Sequence, residues 1–222
     1  MTDALIVKAK VLKGRVRNAM IRLKKRANWF DISLNLDTSD CVDREVLFKD
    51  TQSPNVAHMG RYVPTDFTQI RDSLGWLIAH DRTVLDQSFI DFGCGKGRVL
   101  IAAERMGFKK IIGVEFAQSM CDVCRDNLKK AGSRAVQVVR ADAAQYPITG
   151  NVKTFYFCNP FEYPLFEKVL ANIRAFLKTA PYAGYVIYID PRKFGQLDPA
   201  GYELMFHYDG PGTPFHIYKV II

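Results

Sequence analysis

The sequence predicts an α/β domain built on a doubly wound, mostly parallel seven-stranded sheet that ends in an antiparallel hairpin. Three observations carry this prediction. Short apolar stretches alternate with stretches of helical periodicity, which is typical of parallel strands joined by helices. A glycine-rich turn separates the first of these strands from the helix after it. Two β-rich stretches around an Asp-Gly-Pro-Gly turn close the chain, which indicates the hairpin.

The elements follow in order from their periodicity. A helical pattern runs from Ile70 to Ile78, with Thr65 or Asp66 as its N-cap, and a second runs over 163–178 with one apolar face. A third helix is expected between the second and third strands. The link over 191–200 leaves little room for a last helix. The predicted strands are 89–92, 110–115, 135–139, 154–158, 183–190, 202–208 and 215–221.

The bulk composition fits one such domain with an N-terminal extension. The chain has 222 residues, 48% of them hydrophobic, which is enough for one ordinary core. The apolar runs are too short to span a bilayer and no signal-peptide pattern is present, so we expect a cytoplasmic protein. Five cysteines predict reduced thiols rather than a disulfide framework. We expect a helical extension over 1–30, a linker with short elements over 31–60, and the domain over 61–222.

The formal charge of +8 lies in the N-terminal extension, which holds nine Lys and Arg residues and one acid, Asp3. Apolar residues recur there at three- and four-residue steps from Leu5 to Phe30. Such a basic amphipathic helix either docks its apolar stripe on the domain or binds an anionic membrane surface or nucleic acid. We favour docking, and an anionic partner remains the alternative.

The glycine turn after the first strand indicates the kind of ligand. Asp91, Gly93, Gly95 and Gly97 form the pattern D-x-G-x-G-x-G. Glycines at alternate positions let the backbone turn sharply and bring its N–H groups close to a ligand. A dinucleotide fingerprint would place its third glycine at position 98, where this chain has Arg98. The turn therefore predicts a nucleotide-type cofactor and argues against a dehydrogenase.

Polar residues also follow the next strands. Glu115 ends the second strand, where a carboxylate can accept both hydroxyls of a ribose. Asp142 and Ala143 follow the third strand, and the fourth ends in Asn159-Pro160-Phe161. Because open α/β sheets bind ligands at the carboxyl ends of their strands, we expect one shared site.

From about residue 60 to the end, this arrangement resembles the class I, seven-strand, Rossmann-like methyltransferases that use S-adenosylmethionine (SAM). The resemblance implies the class I methyltransferase fold, SAM as cofactor and S-adenosylhomocysteine as product. It implies transfer of a methyl group to a nitrogen or oxygen nucleophile, and it requires no metal. Such a transfer is an in-line displacement, for which the protein mainly aligns the acceptor and excludes water.

The same resemblance implies the cofactor-binding roles. The glycine turn, including Cys94, would hold the methionine end, with Asp91 opposite the ammonium. Asp142 would accept a hydrogen bond from the adenine amino group, while the backbone N–H of Ala143 meets the ring. Tyr62 and Thr65, in a Tyr-x-Pro-Thr step, would close over the methionine end.

Asn159 and Phe161 are the predicted catalytic residues. In methyltransferases acting on planar nitrogens, an Asn-Pro-Pro-Tyr/Phe motif contacts the nucleophile; this chain has one proline where that motif has two. We therefore carry over Asn159 only as a polar contact beside the cofactor and Phe161 only as a wall of the acceptor pocket. Nucleobase or glutamine specificity is not carried over.

The acceptor remains open. The glycine turn, the Gly-Val-Glu strand end and the Tyr-x-Pro-Thr step resemble the seven-strand protein lysine methyltransferases, so a protein lysine or a small molecule is favoured. The alternatives are a nucleic-acid methyltransferase and a non-catalytic SAM-binding regulatory or scaffold module. Arg98 has three candidate partners: the cofactor carboxylate, a substrate acid or Glu104.

Overall fold

The computed structural model describes residues 31–48, 60–158, 161–193 and 195–222. The predicted amphipathic helix over 1–30 and the predicted site residue Asn159 lie outside these ranges. Within them, no helix is long and apolar enough to cross a membrane.

One sheet of seven strands forms the centre of the domain. Its order is β3-β2-β1-β4-β5-β7-β6, with β1 to β5 parallel and the β6–β7 hairpin antiparallel. The predicted mixed sheet and its terminal hairpin are therefore confirmed. The strands are β1 (Ser88–Phe92), β2 (Lys110–Glu115), β3 (Val136–Arg140), β4 (Val152–Cys158), β5 (Tyr185–Ile189), β6 (Tyr202–Tyr208) and β7 (Phe215–Val220).

Helices connect the parallel strands. Asp66 caps the second helix, since its carboxylate accepts a 2.7 Å hydrogen bond from the backbone N–H of Thr68. The link after β5 holds a short 3-10 helix, Pro191–Lys193, where a last α-helix would otherwise stand. Residues 31–34 are helical as well, and the α-helices with both ends described are α1 (Arg44–Phe48), α2 (Phe67–His80), α3 (Arg98–Arg105), α4 (Gln118–Ala131) and α5 (Tyr163–Leu177).

The core lies on both faces of the sheet. On one face, Leu74 and Leu100 from α2 and α3 pack with Phe89 of β1. On the other, Ile173 of α5 packs with Phe155 of β4. Every residue of β1 and β5 is buried, as expected for strands covered on both sides.

Strand order reverses between β1 and β4, because the chain leaves β1 toward β2 and returns to pair β4 on the other side. Such a switch point leaves a crevice outside the carboxyl ends of the strands. The segment over 31–48 lies against this end: Val42 bridges Tyr62, and Leu47 of α1 is buried. The fold thus fixes where a ligand can bind.

Candidate functional site

A cavity open to solvent lies at the carboxyl ends of β1, β2 and β4, and the space within it, counted together with its open mouth, is about 910 Å³. Ten of the residues predicted from the sequence line it, whereas Gly97 is not among the described lining residues. The ten are Tyr62, Thr65, Asp91, Gly93, Cys94, Gly95, Glu115, Asp142, Ala143 and Phe161.

The glycine turn joins β1 to α3 and forms the floor of the cavity. Gly95 has a φ of 52° and Gly97 a φ of 85°, conformations that side chains disfavour. A Cβ at Gly95 would lie 2.4 Å from Cε2 of Tyr62, and a Cβ at Gly97 would lie 2.6 Å from Sγ of Cys124. The turn is therefore packed from both sides. Gly97 lies against Cys124 of α4 and directly precedes α3.

Asp91 is the most deeply placed acid of the cavity. It is 2% exposed and sits near the end of β1, between Gly113 of β2 and Tyr156 of β4. Burial, and secondly the charge of Glu115, raise the pKa of Asp91 well above the usual carboxyl value. No hydrogen bond to the carboxylate opposes this rise within the described part of the chain. A buried carboxylate in this position is suited to a cationic group of a ligand.

Glu115 is held in one orientation by the backbone. One carboxylate oxygen accepts from the N–H of Gly95 at 3.0 Å, and the other accepts from Phe116 at 2.9 Å and Ala117 at 3.0 Å. Burial raises its pKa, and these three hydrogen bonds oppose that rise. Because the N–H of Gly95 belongs to the glycine turn, Glu115 also ties the end of β2 to that turn.

Asp142 and Ala143 form the third side of the cavity. Asp142 Oδ1 accepts a 2.9 Å hydrogen bond from the backbone N–H of Ala144, which tightens the turn after β3. Ala143 is buried against the apolar cluster of the α5 face. A flat apolar ring and its polar edge could bind between these two residues.

Phe161 and Cys158 lie at the end of β4. The Phe161 ring stands edge-on to Phe157 at a centroid distance of 6.3 Å and is 6% exposed, so it forms a firm wall. Burial raises the pKa of Cys158 to about 12, and the pKa of the Cys94 thiol is also raised well above its usual value, chiefly by a hydrogen bond to Cys124. Both thiols are therefore protonated at neutral pH and are poor nucleophiles.

Residues 31–39, which we call the N-terminal strap, have a structural role that no sequence motif indicated. Arg98 donates to Thr38 Oγ1 at 2.8 Å, Ser39 Oγ at 2.9 Å and the carbonyl of Thr65 at 3.1 Å, and it pairs with Asp31 at 3.5 Å. The polar, aperiodic composition of the strap gave no signal of this contact.

Glu104, one of the three candidate partners of Arg98, does not pair with it. Glu104 instead accepts from the backbone N–H groups of Arg134 at 2.8 Å and Ala135 at 2.7 Å. The guanidinium of Arg98 is already occupied by protein partners. Its burial therefore needs neither the cofactor carboxylate nor a substrate acid as a partner.

No group of three or more potential metal ligands lies within the described residues.

Comparisons with known proteins agree with this geometry. Residues 89–180 match the family model described as a methyltransferase domain, and this span runs from β1 through α5. Over this span the chain is similar to methyltransferase domains, and its sheet has the class I SAM-dependent methyltransferase fold. The matched span contains the glycine turn and all three acids of the cavity.

Curated relatives match a shorter stretch. Over 59 residues, the chain is 37% identical to the ribosomal protein L11 methyltransferase of Photobacterium profundum and 41% identical to that of Escherichia coli. These stretches cover 27% of this chain and only 19% and 20% of the relatives' lengths.

Solved structures share the fold over more of the chain. An RNA methyltransferase from Salinibacter ruber, in complex with S-adenosyl-L-homocysteine, aligns with a TM-score of 0.53 at 19% identity, over 71% of this chain and 94% of that one. A variant of MtNAS in complex with SAM aligns with a TM-score of 0.56 at 13% identity, over 70% of this chain and 63% of that one. At these identities the likeness shows the fold.

Proposed function

We propose that this protein transfers a methyl group from SAM to a nitrogen or oxygen nucleophile. The observation that carries the proposal is the convergence of Asp91, Glu115 and Asp142, from three different strand ends, on one cavity floored by the glycine turn. The family-model match over residues 89–180 and the fold support the same cofactor.

The residues fit the methionine end of SAM. The buried carboxylate of Asp91, whose raised pKa is opposed by no hydrogen bond within the described residues, would receive the ammonium group. Tyr62 and Thr65 would cover the same end from the opposite side, since both line the cavity above the glycine turn. Bound there, SAM supplies a methyl group already activated by its sulfonium charge.

The nucleoside end would bind farther along the strand ends. Glu115 would accept a ribose hydroxyl on the oxygen that also accepts from Gly95, because its three backbone hydrogen bonds leave one of about four lone-pair sites free. Asp142 would accept from the adenine amino group, and the backbone N–H of Ala143 would meet the ring.

On the acceptor side the protein's task is alignment and exclusion of water. Phe161, with Leu165 and Val63, gives this part of the cavity apolar walls. Asn159, which follows β4 in the sequence, would hold the polar nucleophile. Replacing Asn159 by Ala should lower turnover and leave SAM affinity intact; unaltered turnover would remove Asn159 from the mechanism.

For the acceptor, we favour a protein lysine or a small molecule. The similar L11 enzymes are named for a protein substrate, but the likeness spans 59 residues and leaves most of the acceptor region uncompared. A nucleic acid is the second candidate: a neighbour in fold is an RNA methyltransferase, and nine cations in residues 1–30 could bind phosphates. That anionic partner and a cytoplasmic location both remain predictions.

The test is to measure SAM binding by calorimetry and then incubate the protein with methyl-labelled SAM and an extract of its own cells. Label recovered in the protein, nucleic-acid or small-molecule fraction would identify the acceptor class. The Asp91→Asn variant is the control and should give much weaker labelling when SAM is kept near the wild-type Kd. Tight SAM binding with no label in any fraction, across extracts from several growth conditions, would favour the non-catalytic module instead.

A further inference from the structure

We propose that Arg98 is a positioning residue that sets the affinity for SAM by anchoring the N-terminal strap and the Tyr62–Thr65 segment over the glycine turn. This inference rests on the proposed function, because it concerns the same cavity. It assigns a role in cofactor binding to Asp31, Thr38 and Ser39, none of which is among the described residues that line the cavity.

The anchor is a buried polar cluster centred on one guanidinium. Arg98 is 4% exposed, Asp31 7% and Thr38 fully buried. Asp31 accepts from the hydroxyls of Thr38 and Ser39 and from the backbone N–H of Thr38 at 3.2 Å. Phe67 covers the guanidinium at 4.8 Å from its ring centroid. A charge this deeply buried is held only where its partners are in place.

The cluster reaches the cavity by two routes. In the first, Arg98 donates directly to the carbonyl of Thr65, which lines the cavity. In the second, Arg98 holds Thr38, whose carbonyl accepts a 3.0 Å hydrogen bond from the Tyr62 hydroxyl. The Tyr62 ring lies so close to Gly95 that the glycine has no space for a Cβ. Moving the strap would therefore move the wall of the cofactor site.

An arginine is required for this arrangement. Its planar fork presents donors in fixed directions, so that one side chain serves a hydroxyl, a carbonyl and a carboxylate from separate segments. A lysine would keep the charge and lose most of these simultaneous contacts. Arg98 opens α3, directly after Gly97, so its backbone cannot move independently of the glycine turn.

The test uses Asp31→Asn, because Asp31 acts on the cavity only through the cluster. We expect its Kd for SAM to rise about 5- to 20-fold. The KM for SAM should rise with it, whereas kcat at saturating SAM should change little. Hydrogen exchange of the free protein should become faster at 61–67. Thr38→Val removes one hydroxyl at similar volume and should have the same effects to a smaller extent. It replaces Asp31→Asn as the test variant if Asp31→Asn does not fold.

Two comparisons separate positioning from general destabilisation. Asp81→Asn breaks a partly buried 2.8 Å ion pair with Lys153 near the amino ends of the strands, and it should lower thermal stability without altering SAM affinity. Tyr62→Phe removes the hydroxyl that bonds the strap. Combined with Asp31→Asn it should weaken binding by less than the product of the two single effects, because both act by one route.

Either of two results would overturn the proposal. The first is wild-type SAM affinity and wild-type exchange at 61–67 in Asp31→Asn. The second is a loss of affinity in Arg98→Lys that Asp31→Asn and Thr38→Val do not share, which would make Arg98 a direct ligand contact. Failure of the proposed function would give a different result, because the wild type would then not bind SAM. The hydrogen-exchange experiment on the free protein would still test the anchor in that case.

Discussion

Asp91 illustrates how a single residue can oppose folding and still serve binding. Its carboxyl group is buried beside Glu115, which favours the protonated form and raises its pKa. A carboxyl whose folded-state pKa is raised binds more protons in the folded than in the unfolded chain. As the pH rises through the interval between the two pKa values, stability is lost. At neutral pH the free protein therefore bears a cost that a cationic ligand can relieve.

Asp91→Asn should weaken SAM binding and stabilise the free protein. Loss of a charge-assisted hydrogen bond, about 1.5–3 kcal/mol, predicts a rise in Kd of roughly 10- to 100-fold. The neutral amide avoids the cost of ionisation, so Tm at pH 7 without SAM should increase. Calorimetric titration and scanning calorimetry measure the two effects, and a variant less stable than wild type but with full SAM affinity would contradict both.

The raised pKa also predicts proton release on SAM binding. At a pH below that pKa, Asp91 must lose its proton to face the ammonium, so affinity should increase with pH. The observed binding enthalpy should then differ between two buffers of different ionisation enthalpy at the same pH. The difference should shrink in Asp91→Asn, and equal enthalpies in the wild type would count against an ionising Asp91.

At the scale of elements, the glycine turn is a strand-to-helix connection whose shape is fixed from outside as well as by its own sequence. Glu115 bonds it from the end of β2, and Tyr62 covers it from the preceding segment. The turn therefore depends on contacts with elements on either side of it. Two glycines of this chain have a similar φ but different surroundings. Replacing each of them separates the cost of local backbone strain from the effect of tertiary contacts on SAM binding.

Gly95→Ala should impair SAM binding, whereas Gly132→Ala should not. Both glycines have a positive φ, 52° and 69°, so each alanine costs about 1–2 kcal/mol of conformational strain. Only at Gly95 does the new Cβ meet a side chain, and displacing Tyr62 should raise the Kd for SAM at least about tenfold. Equal Kd values by calorimetric titration for the two variants would show that the contact with Tyr62 is unimportant.

Asn127 of α4 is a second tie between elements. Its amide donates to the carbonyls of Asp37 at 2.9 Å and Lys96 at 3.0 Å, and accepts from the N–H of Asp37 at 2.9 Å. One fully buried side chain thus joins α4, the N-terminal strap and the glycine turn.

Asn127→Ala should lower the free energy of unfolding by about 2–4 kcal/mol, because it leaves three backbone groups without partners. The matched control is Asn172→Ala on α5, which loses one 2.9 Å bond to the carbonyl of Ala144 and should cost about 1 kcal/mol. Urea unfolding of both variants measures the difference. Equal losses would mean that the strap is not held through Asn127.

At the scale of the whole molecule, the site is shared by elements from separate parts of the chain. β1, β2, β3 and β4 contribute their carboxyl ends, while Leu47 and residues from 60–65 close the cavity from outside the sheet. A ligand bound there would contact several separate elements. Binding should consequently stabilise the described domain as one unit.

SAM at 100 times its Kd should stabilise the protein by about 2.7 kcal/mol. For a chain of this size that predicts a rise in Tm of roughly 5–10 °C, since each kcal/mol corresponds to a few degrees. Thermal unfolding at several SAM concentrations measures it, with Asp91→Asn as the variant expected to respond only at much higher concentrations. A Tm independent of SAM would contradict the proposed cofactor.

What could be predicted from the sequence was local. The apolar stretch over 110–115 gave β2 with the bounds that the structure has, and the glycine pattern gave the strand-to-helix turn. β4 begins two residues before its predicted start, at Val152, because the alternation is obscured by Lys153, which pairs with Asp81. The shared edge followed from a general rule of α/β sheets, which does not depend on individual side chains, whereas the strand order came from the structure.

The tertiary structure alone decided the partners of the buried charges. Asp31 and Arg98 are 67 residues apart, and no periodicity or motif links them. The strap looked like a linker because its residues are polar, yet those polar groups are paired with one another and with Arg98 in the interior. Periodicity records which residues avoid water, whereas the pairing of polar groups depends on distances that exist only after folding. The sequence by itself therefore determined the sheet and the acids at its edge. Folding determined which buried polar groups hold the Tyr62–Thr65 segment above them.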